Sequence, residues 1–414
     1  MLGGGNHEAT RKVCDQALVS VGTHVGEGLL VWQSVLLFEQ QVLANLQEQN
    51  STNNEDKNIE KLIKSQKERI RSLYKRQMRV PLLNVKKSSL IEEAAPWFDG
   101  EIDNYMKSDL DKALKRLETK LSFEESLLSD MTENQKLVAY KIYLEHLKNT
   151  KENPADVQSL YERAITDNAL DCSLWEEYIK YMMEKFPAMD YMLLPLCKRS
   201  MRNCPWSSNL VELHIVILQQ CHDETKSVDT LKLEAKTVLE KGLSSGVSHG
   251  SEAAKMWFSY LVLLRRLIKW DSDDYEKDLD FFRNSCNKAI TFLDKYYGQD
   301  ADLESEIPRL LARIEGEFAK DIQASRDVWN NIILQRNDNY SNAQMWLEFI
   351  NLERSYGTLK HCRKLFRRAL ERVWDYVEII VLAFRKFENE TGNIESMNEF
   401  EKRVAERYLL FYLC

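Results

Sequence analysis

The chain has 414 residues, 44% of them hydrophobic and 29% charged, and a net charge of −8. That acidity argues against the chain as a whole being a nucleic-acid binder, which would draw on clustered Lys and Arg, but leaves room for a local basic patch. The eight cysteines form no CxxC pair and no staple-like spacing, so they read as free, mostly buried thiols of a reducing compartment.

In chain order, the start MLGGGNHEATRK lacks the apolar stretch of a secretory signal. No apolar run approaches the roughly 18–20 residues that span a bilayer. Val13–Leu18 (VCDQAL) marks a first amphipathic helix. A second carries Trp32, Val35, Phe38 and Glu39, at offsets of three, six and seven. Offsets of three and seven fall on one stripe of an α-helix. The polar stretch 47–58 (QEQNSTNNEDKN) then reads as a flexible loop inside the first helix pair. Between Lys61 and Arg79 stand eight basic residues, including Arg69 and Arg76, against one acid, Glu68. This is a solvated helix face or a patch for an acidic partner, the solvated face being the simpler reading.

The same two patterns then recur. The first type, opened by a large apolar residue and closed by Glu at offset seven, returns at Val138 with Glu145 and at Trp175 with Tyr178. It returns again at Trp257 with Tyr260, at Trp346 with Phe349, Leu352 and Glu353, and at Val381 with Phe384 and Glu388. At Trp257 the place of Glu is taken by Leu264. The second type reads apolar, aromatic, charged, Arg or Lys, Ala, apolar. Its clearest copy is Leu160, Tyr161, Glu162, Arg163, Ala164, Ile165. Others run Val238–Leu243, Ser285–Ile290 and Leu365–Leu370, the last with Ala369, and Pro195–Ser200 is a degraded copy. Asp271–Asp280 is acidic and is expected in a loop. A basic group at Arg363, Lys364, Arg367 and Arg368 shares helix faces and is expected to pair in part with Glu353 on the preceding helix. The apolar tail Tyr408–Cys414 reads as a helix end that packs on something further.

The two patterns alternate at intervals of about 35–45 residues, which predicts an all-α, αα-superhelix (solenoid) of about nine helix pairs after an orphan second-type helix at Val13–Leu18. The large ring fills the space between the helices of a pair, and the small residue of the second helix (Ala17, Ala164, Gly242, Ala289, Ala369) allows a close crossing. Pro154 starts a helix, Pro81 and Pro205 follow helices, and Gly22, Gly357 and Gly392 fall in turns. Neither end resembles a polar cap, so the array is expected to continue beyond this chain. Two halves are expected, residues 1–224 and 225–414.

No catalytic constellation is present. The seven His are dispersed, no HExxH or paired Cys with His at zinc spacing occurs, and no GxxxxGK[ST], GxGxxG or GxSxG appears. The sequence therefore gives no catalytic, metal or cofactor residues. Trp32, Trp175, Trp257 and Trp346 offer rings to stacked bases, but their place on a helical stripe favours packing. Trp97, Trp206, Trp270, Trp329 and Trp374 lie outside that register, and either role is open to them.

The repeated Trp-x-x-aromatic-x-x-x-Glu and Glu-Arg-Ala helices resemble the half-a-tetratricopeptide (HAT) repeat of RNA-processing factors. RNCPW (Arg202–Trp206), NLERSYGTLKHCRKLFRRAL (Asn351–Leu370) and QALVSVGTHVGEGLLVW (Gln16–Trp32) resemble the HAT domain of the U4/U6 snRNP recycling factor family, also called squamous cell carcinoma antigen recognised by T cells. The resemblance implies a nuclear, non-catalytic scaffold in pre-mRNA splicing, with shuttling to the cytoplasm allowed. It implies contacts to snRNP components, recruitment of ubiquitin-specific proteases, and a homodimer through the C-terminal half. Arg69, Arg76, Arg363 and Arg367 are candidates for a partner surface. No RNA-recognition motif is found, so RNA association is expected to be mainly indirect, and the basic 61–79 helix is the place where direct contact stays open. A HAT scaffold of another RNA machine, such as the mRNA 3′-end cleavage factors, is the alternative.

Overall fold

The two alternating patterns become nineteen α-helices, with no strand among the described residues, in a computed structural model of the chain. It describes residues 7–52, 57–83, 85–98, 102–129, 132–150, 153–187, 190–222, 227–272, 275–336 and 338–413. Helix α1 (His7–Ser20) stands ahead of nine pairs. These are α2 (Gly28–Thr52) with α3 (Lys57–Gln77), α4 (Lys87–Ala94) with α5 (Asn104–Leu128), and α6 (Glu133–Asn149) with α7 (Pro154–Asp167). There follow α8 (Cys172–Lys185) with α9 (Asp190–Asn203), α10 (Ser208–Gln220) with α11 (Val228–Ser244), and α12 (Gly250–Leu267) with α13 (Tyr275–Tyr296). The last three are α14 (Glu306–Arg313) with α15 (Ile322–Asn331), α16 (Ala343–Tyr356) with α17 (Leu359–Arg372), and α18 (Val377–Thr391) with α19 (Ile394–Leu413).

The helix starts follow from local chemistry. Asn153 Oδ1 accepts from Ala155 N at 3.1 Å just ahead of Pro154, whose missing N–H costs nothing at the first helical position. Asp103, Ser207, Asn342 and Thr358 cap α5, α10, α16 and α17 in the same way. Within each unit most helices contact the next in line, and in the second unit some also contact the next but one, as α10 does α12, α16 does α18 and α17 does α19. That is the stacking of an αα-solenoid, in which each pair buries a face it could not bury alone.

The contacts divide the chain into two units, residues 1–181 and 182–414. In the first unit one core gathers Trp32, Leu36, Ile70, Tyr74 and Met106. In the second, another gathers Trp329, Trp346, Phe349, Phe366, Phe384 and Phe400.

Two loop expectations are corrected. Residues 47–52 continue α2 and residues 57–58 begin α3, while 53–56 lie outside the described residues. Packing of α2 on α3, with Leu43 and Ile70 both buried, carries the helices past the point where polar composition alone would end them. From Tyr275 the acidic stretch is helical too, because Glu276 and Asp278 sit in the first turn of α13, where the helix dipole favours negative charge. The tail continues α19 to Leu413, and its side chains from 409 onward lie outside the described residues.

Two of the turn glycines have a reason that composition did not reveal. A Cβ at Gly357 would stand 1.9 Å from Glu353 Oε1, and one at Gly392 would stand 2.4 Å from Glu388 Oε2. In both cases the carboxylate four residues earlier folds back over the helix end. Gly357→Ala is expected to cost about 1–3 kcal/mol by overpacking, read as a lower denaturation midpoint. An unchanged midpoint would mean that the carboxylate has room to swing aside.

Candidate functional site

The Trp residues of the first pattern are built into the array. Trp32 Nε1 donates to Gly22 O at 2.9 Å, Trp175 Nε1 to Ala169 O at 2.8 Å, and Trp346 Nε1 to Tyr340 O at 2.7 Å. Each ring is buried, and its one polar atom ties down the turn that precedes its own helix. These three are therefore not platforms for bases. Trp257 is only half-buried, and its Nε1 has no protein partner. Phe38 is half-exposed, with its ring 6.3 Å from that of His7.

Behind the Trp row lies a row of parallel aromatic stacks that join one pair to the next. Tyr161 of α7 stacks on Tyr178 of α8 (centroids 4.8 Å, 10°). Trp329 of α15 stacks on Phe349 of α16 (5.1 Å, 6°), and Phe366 of α17 on Phe384 of α18 (4.6 Å, 0°). In each case the aromatic of the second pattern meets the offset-three aromatic of the following first pattern. Trp329, which stood outside the Trp register in the sequence, thus belongs to the other row. Ala164 and Ala369 are fully buried beside these rings.

The Glu at offset seven is the third shared feature, and its partner is the part that sequence reasoning missed. Glu353 takes two guanidinium hydrogen bonds from Arg326, at 2.9 and 2.5 Å, and one from Thr358 N at 2.9 Å. Glu388 takes Arg363 at 2.8 and 3.2 Å and the hydroxyl of Ser396 at 2.8 Å. Glu315, in a short π-helical turn after α14, takes Arg283 twice at 2.6 Å. Glu39 takes Arg11, Arg69 (2.6 Å) and Gln66 (2.6 Å). In all four clasps an Arg of the preceding second-type helix, two residues ahead of Val13, Ser285, Val328 or Leu365, reaches forward to the next pair. A fifth carboxylate, Glu124 of α5, is held by Arg163 of α7 at 2.8 and 2.9 Å and by the Tyr143 hydroxyl at 3.1 Å.

This corrects the expected pairing of the basic group at 363–368. Glu353 is already occupied by Arg326 from behind, so Arg363 turns forward to Glu388. Burial works to raise the Glu39 carboxyl, but the hydrogen bonds from Arg11, Gln66 and Arg69 outweigh it and hold the carboxyl below its ordinary range. The bond to Glu353 raises Arg326, and the bond to Glu315 raises Arg283.

The four arginines proposed for a partner surface are mostly spoken for. Arg69 binds Glu39 and Asp15, Arg363 binds Glu388, and Arg367 binds Glu399 at 2.6 Å. Arg76 is exposed and lies 5.7 Å from the Trp32 ring centroid. Exposed apolar side chains occur along the whole array, and several lie close in sequence on its last turns and helices. Trp374 is 61% exposed, Tyr376 71% and Leu382 63%, with Ile379 and Ile394 beside them in sequence. Tyr376 also holds a left-handed backbone (φ 49°), an uncommon state for a bulky residue. Among the described residues no group of three or more His, Cys, Asp or Glu is placed to hold a metal ion, and no helix is long and apolar enough to cross a membrane.

No protein-family model matches the chain. It is 31% identical over 383 residues to a zebrafish (Danio rerio) protein named spliceosome associated factor 3, U4/U6 recycling protein, covering 92% of this chain and 38% of that protein. Proteins of the same name match in human (28% over 409 residues, 97% and 39%) and in Caenorhabditis elegans (22% over 400 residues, 95% and 44%). The chain spans about two fifths of the length of the curated relatives it matches. The resemblance carried by the repeat residues holds across nearly the whole chain, which is a homologue of the spliceosome associated factor 3, U4/U6 recycling proteins.

Proposed function

We propose that this chain is a non-catalytic protein-binding scaffold of nuclear pre-mRNA splicing that serves U4/U6 snRNP assembly and recycling. The reading is supported by its homology to proteins named for U4/U6 recycling, spread over the entire repeat array. Its partners are snRNP proteins and ubiquitin-specific proteases, and it works in the nucleus, with passage to the cytoplasm. Clasped and stacked pairs within each unit suit this role, because they present side chains at fixed spacing. Affinity capture from nuclear extract with the full chain should enrich snRNP proteins and ubiquitin-specific proteases. Recovery of 3′-end cleavage-factor subunits in their place would sink the reading.

The same proposal makes the 225–414 half the site of a homodimer. Its support is the group of exposed apolar side chains close in sequence here, Trp374, Tyr376, Ile379 and Leu382. Light scattering should give twice the chain mass for the native protein and the single mass for an Ile379→Asp, Leu382→Asp variant. A native protein that is monomeric at tens of micromolar would remove the dimer while leaving the capture experiment to stand alone.

A further inference from the structure

We propose that the outer face of α3 is a binding track for the phosphate backbone of single-stranded RNA. The inference does not depend on the scaffold reading above. Within an acidic chain, α3 carries eight basic and two acidic residues. At 100° per residue, Lys61, Lys64, Lys67, Arg71 and Lys75 fall within one third of the helix circumference, along about 21 Å of its axis. The opposite side is core, with Ile70, Leu73 and Tyr74 buried. The clasps explain why the remaining charge is available. Arg69 is turned inward to Glu39, whereas Lys61, Lys64, Lys67 and Lys75 are exposed and have no carboxylate within ion-pair distance among the described residues.

Two surface concavities open along the same stripe. One, of about 500 Å³, is lined by Lys64, Lys67 and Asn50. The other, of about 410 Å³, is lined by Lys75, Phe98 and Tyr105, by Asp103, and by Arg71 and Arg79, which pair there with Glu68 and Asp109. Lys75 Nζ lies 5.8 Å from the Phe98 ring centroid, and Tyr105 is 66% exposed. Ammonium groups in a row with rings at one end are the elements by which single strands are held, phosphates on the cations and bases on the rings. An acidic peptide would use the same cations, but the Phe98 and Tyr105 rings beside Lys75 add flat faces that suit stacked bases. The chemistry therefore favours the nucleic acid.

The test is fluorescence anisotropy with an end-labelled 12-nucleotide uridine RNA and the full chain, at salt from 50 to 200 mM. Four lysines on phosphates should give a slope of log K against log salt near −3, at about 0.7 per contact on a single strand, or about a 50-fold loss over that range. A variant with all four lysines replaced by alanine should lose the slope while keeping its thermal midpoint to within a few degrees, since the four are exposed and only Lys75 meets a core-flanking ring, Phe98. Tyr105→Ala should weaken binding about tenfold with the slope unchanged. Equal binding by the lysine variant, or no binding by the native chain at 50 mM salt, would overturn the proposal. So would an oligoglutamate of equal charge that binds more tightly than the RNA, which would assign the face to an acidic protein.

Discussion

Arg326→Ala should destabilise the second unit by about 3–5 kcal/mol, the usual cost of stranding one member of a buried ion pair. Glu353 is 0% exposed and receives three hydrogen bonds, two of them from Arg326. Without the guanidinium only Thr358 N remains, and the carboxylate cannot reach water. The pair also joins α15 to α16, so amide exchange should accelerate in both helices together. A double replacement, Arg326→Leu with Glu353→Leu, should recover most of the loss, because two apolar groups of similar volume leave nothing unpaired. If Arg326→Ala alone costs under about 1 kcal/mol, the value of an exposed pair, the clasp is not a structural element of this fold.

Trp346→Ala should be as severe, at about 3–5 kcal/mol. The ring is 1% exposed, sits in the second core and lies 5.3 Å from the Arg368 guanidinium. Its removal opens a cavity and also frees Tyr340 O, so the turn ahead of α16 loses its tie. Trp346→Phe would keep most of the volume and lose only the tie. The difference between the two variants in a denaturant melt therefore separates packing from the hydrogen bond. A loss near zero for the alanine variant would remove this Trp from the core.

The helix pairs were legible because burial of a ring every few residues along a stripe leaves a periodic trace. Trp32, Trp175 and Trp346, and the closing Glu39, Glu353 and Glu388, could all be marked from spacing alone. Their arginines could not. Arg11, Arg283, Arg326 and Arg363 stand at positions that an amphipathic reading gives to solvent, and only the neighbouring helix shows that they point inward. The recurring signal is an Arg two residues ahead of Val13, Ser285, Val328 and Leu365, visible once the carboxylate has been seen to need a partner. Helix α14 escaped for a different reason. Pro308, Leu311, Ile314 and Glu315 keep the offsets of the first pattern, but proline takes the place of tryptophan. Arg69 was marked for a partner surface from composition, although the stripe that reaches solvent is made by the lysines around it.

The direction of the clasps bears on how the array melts. In a linear stack, cooperativity depends on how much of each unit's free energy resides in its interface with the next. A buried carboxylate whose counter-ion belongs to the previous pair cannot be satisfied unless that pair is folded, and the same guanidinium loses its buried carboxylate if its successor opens. Bonds of this kind penalise every boundary between folded and unfolded segments. The stretch from α13 to α18, with three such bonds in series, is therefore built to respond to heat or denaturant as one block, and a lesion in one pair will be felt by its neighbours along the chain.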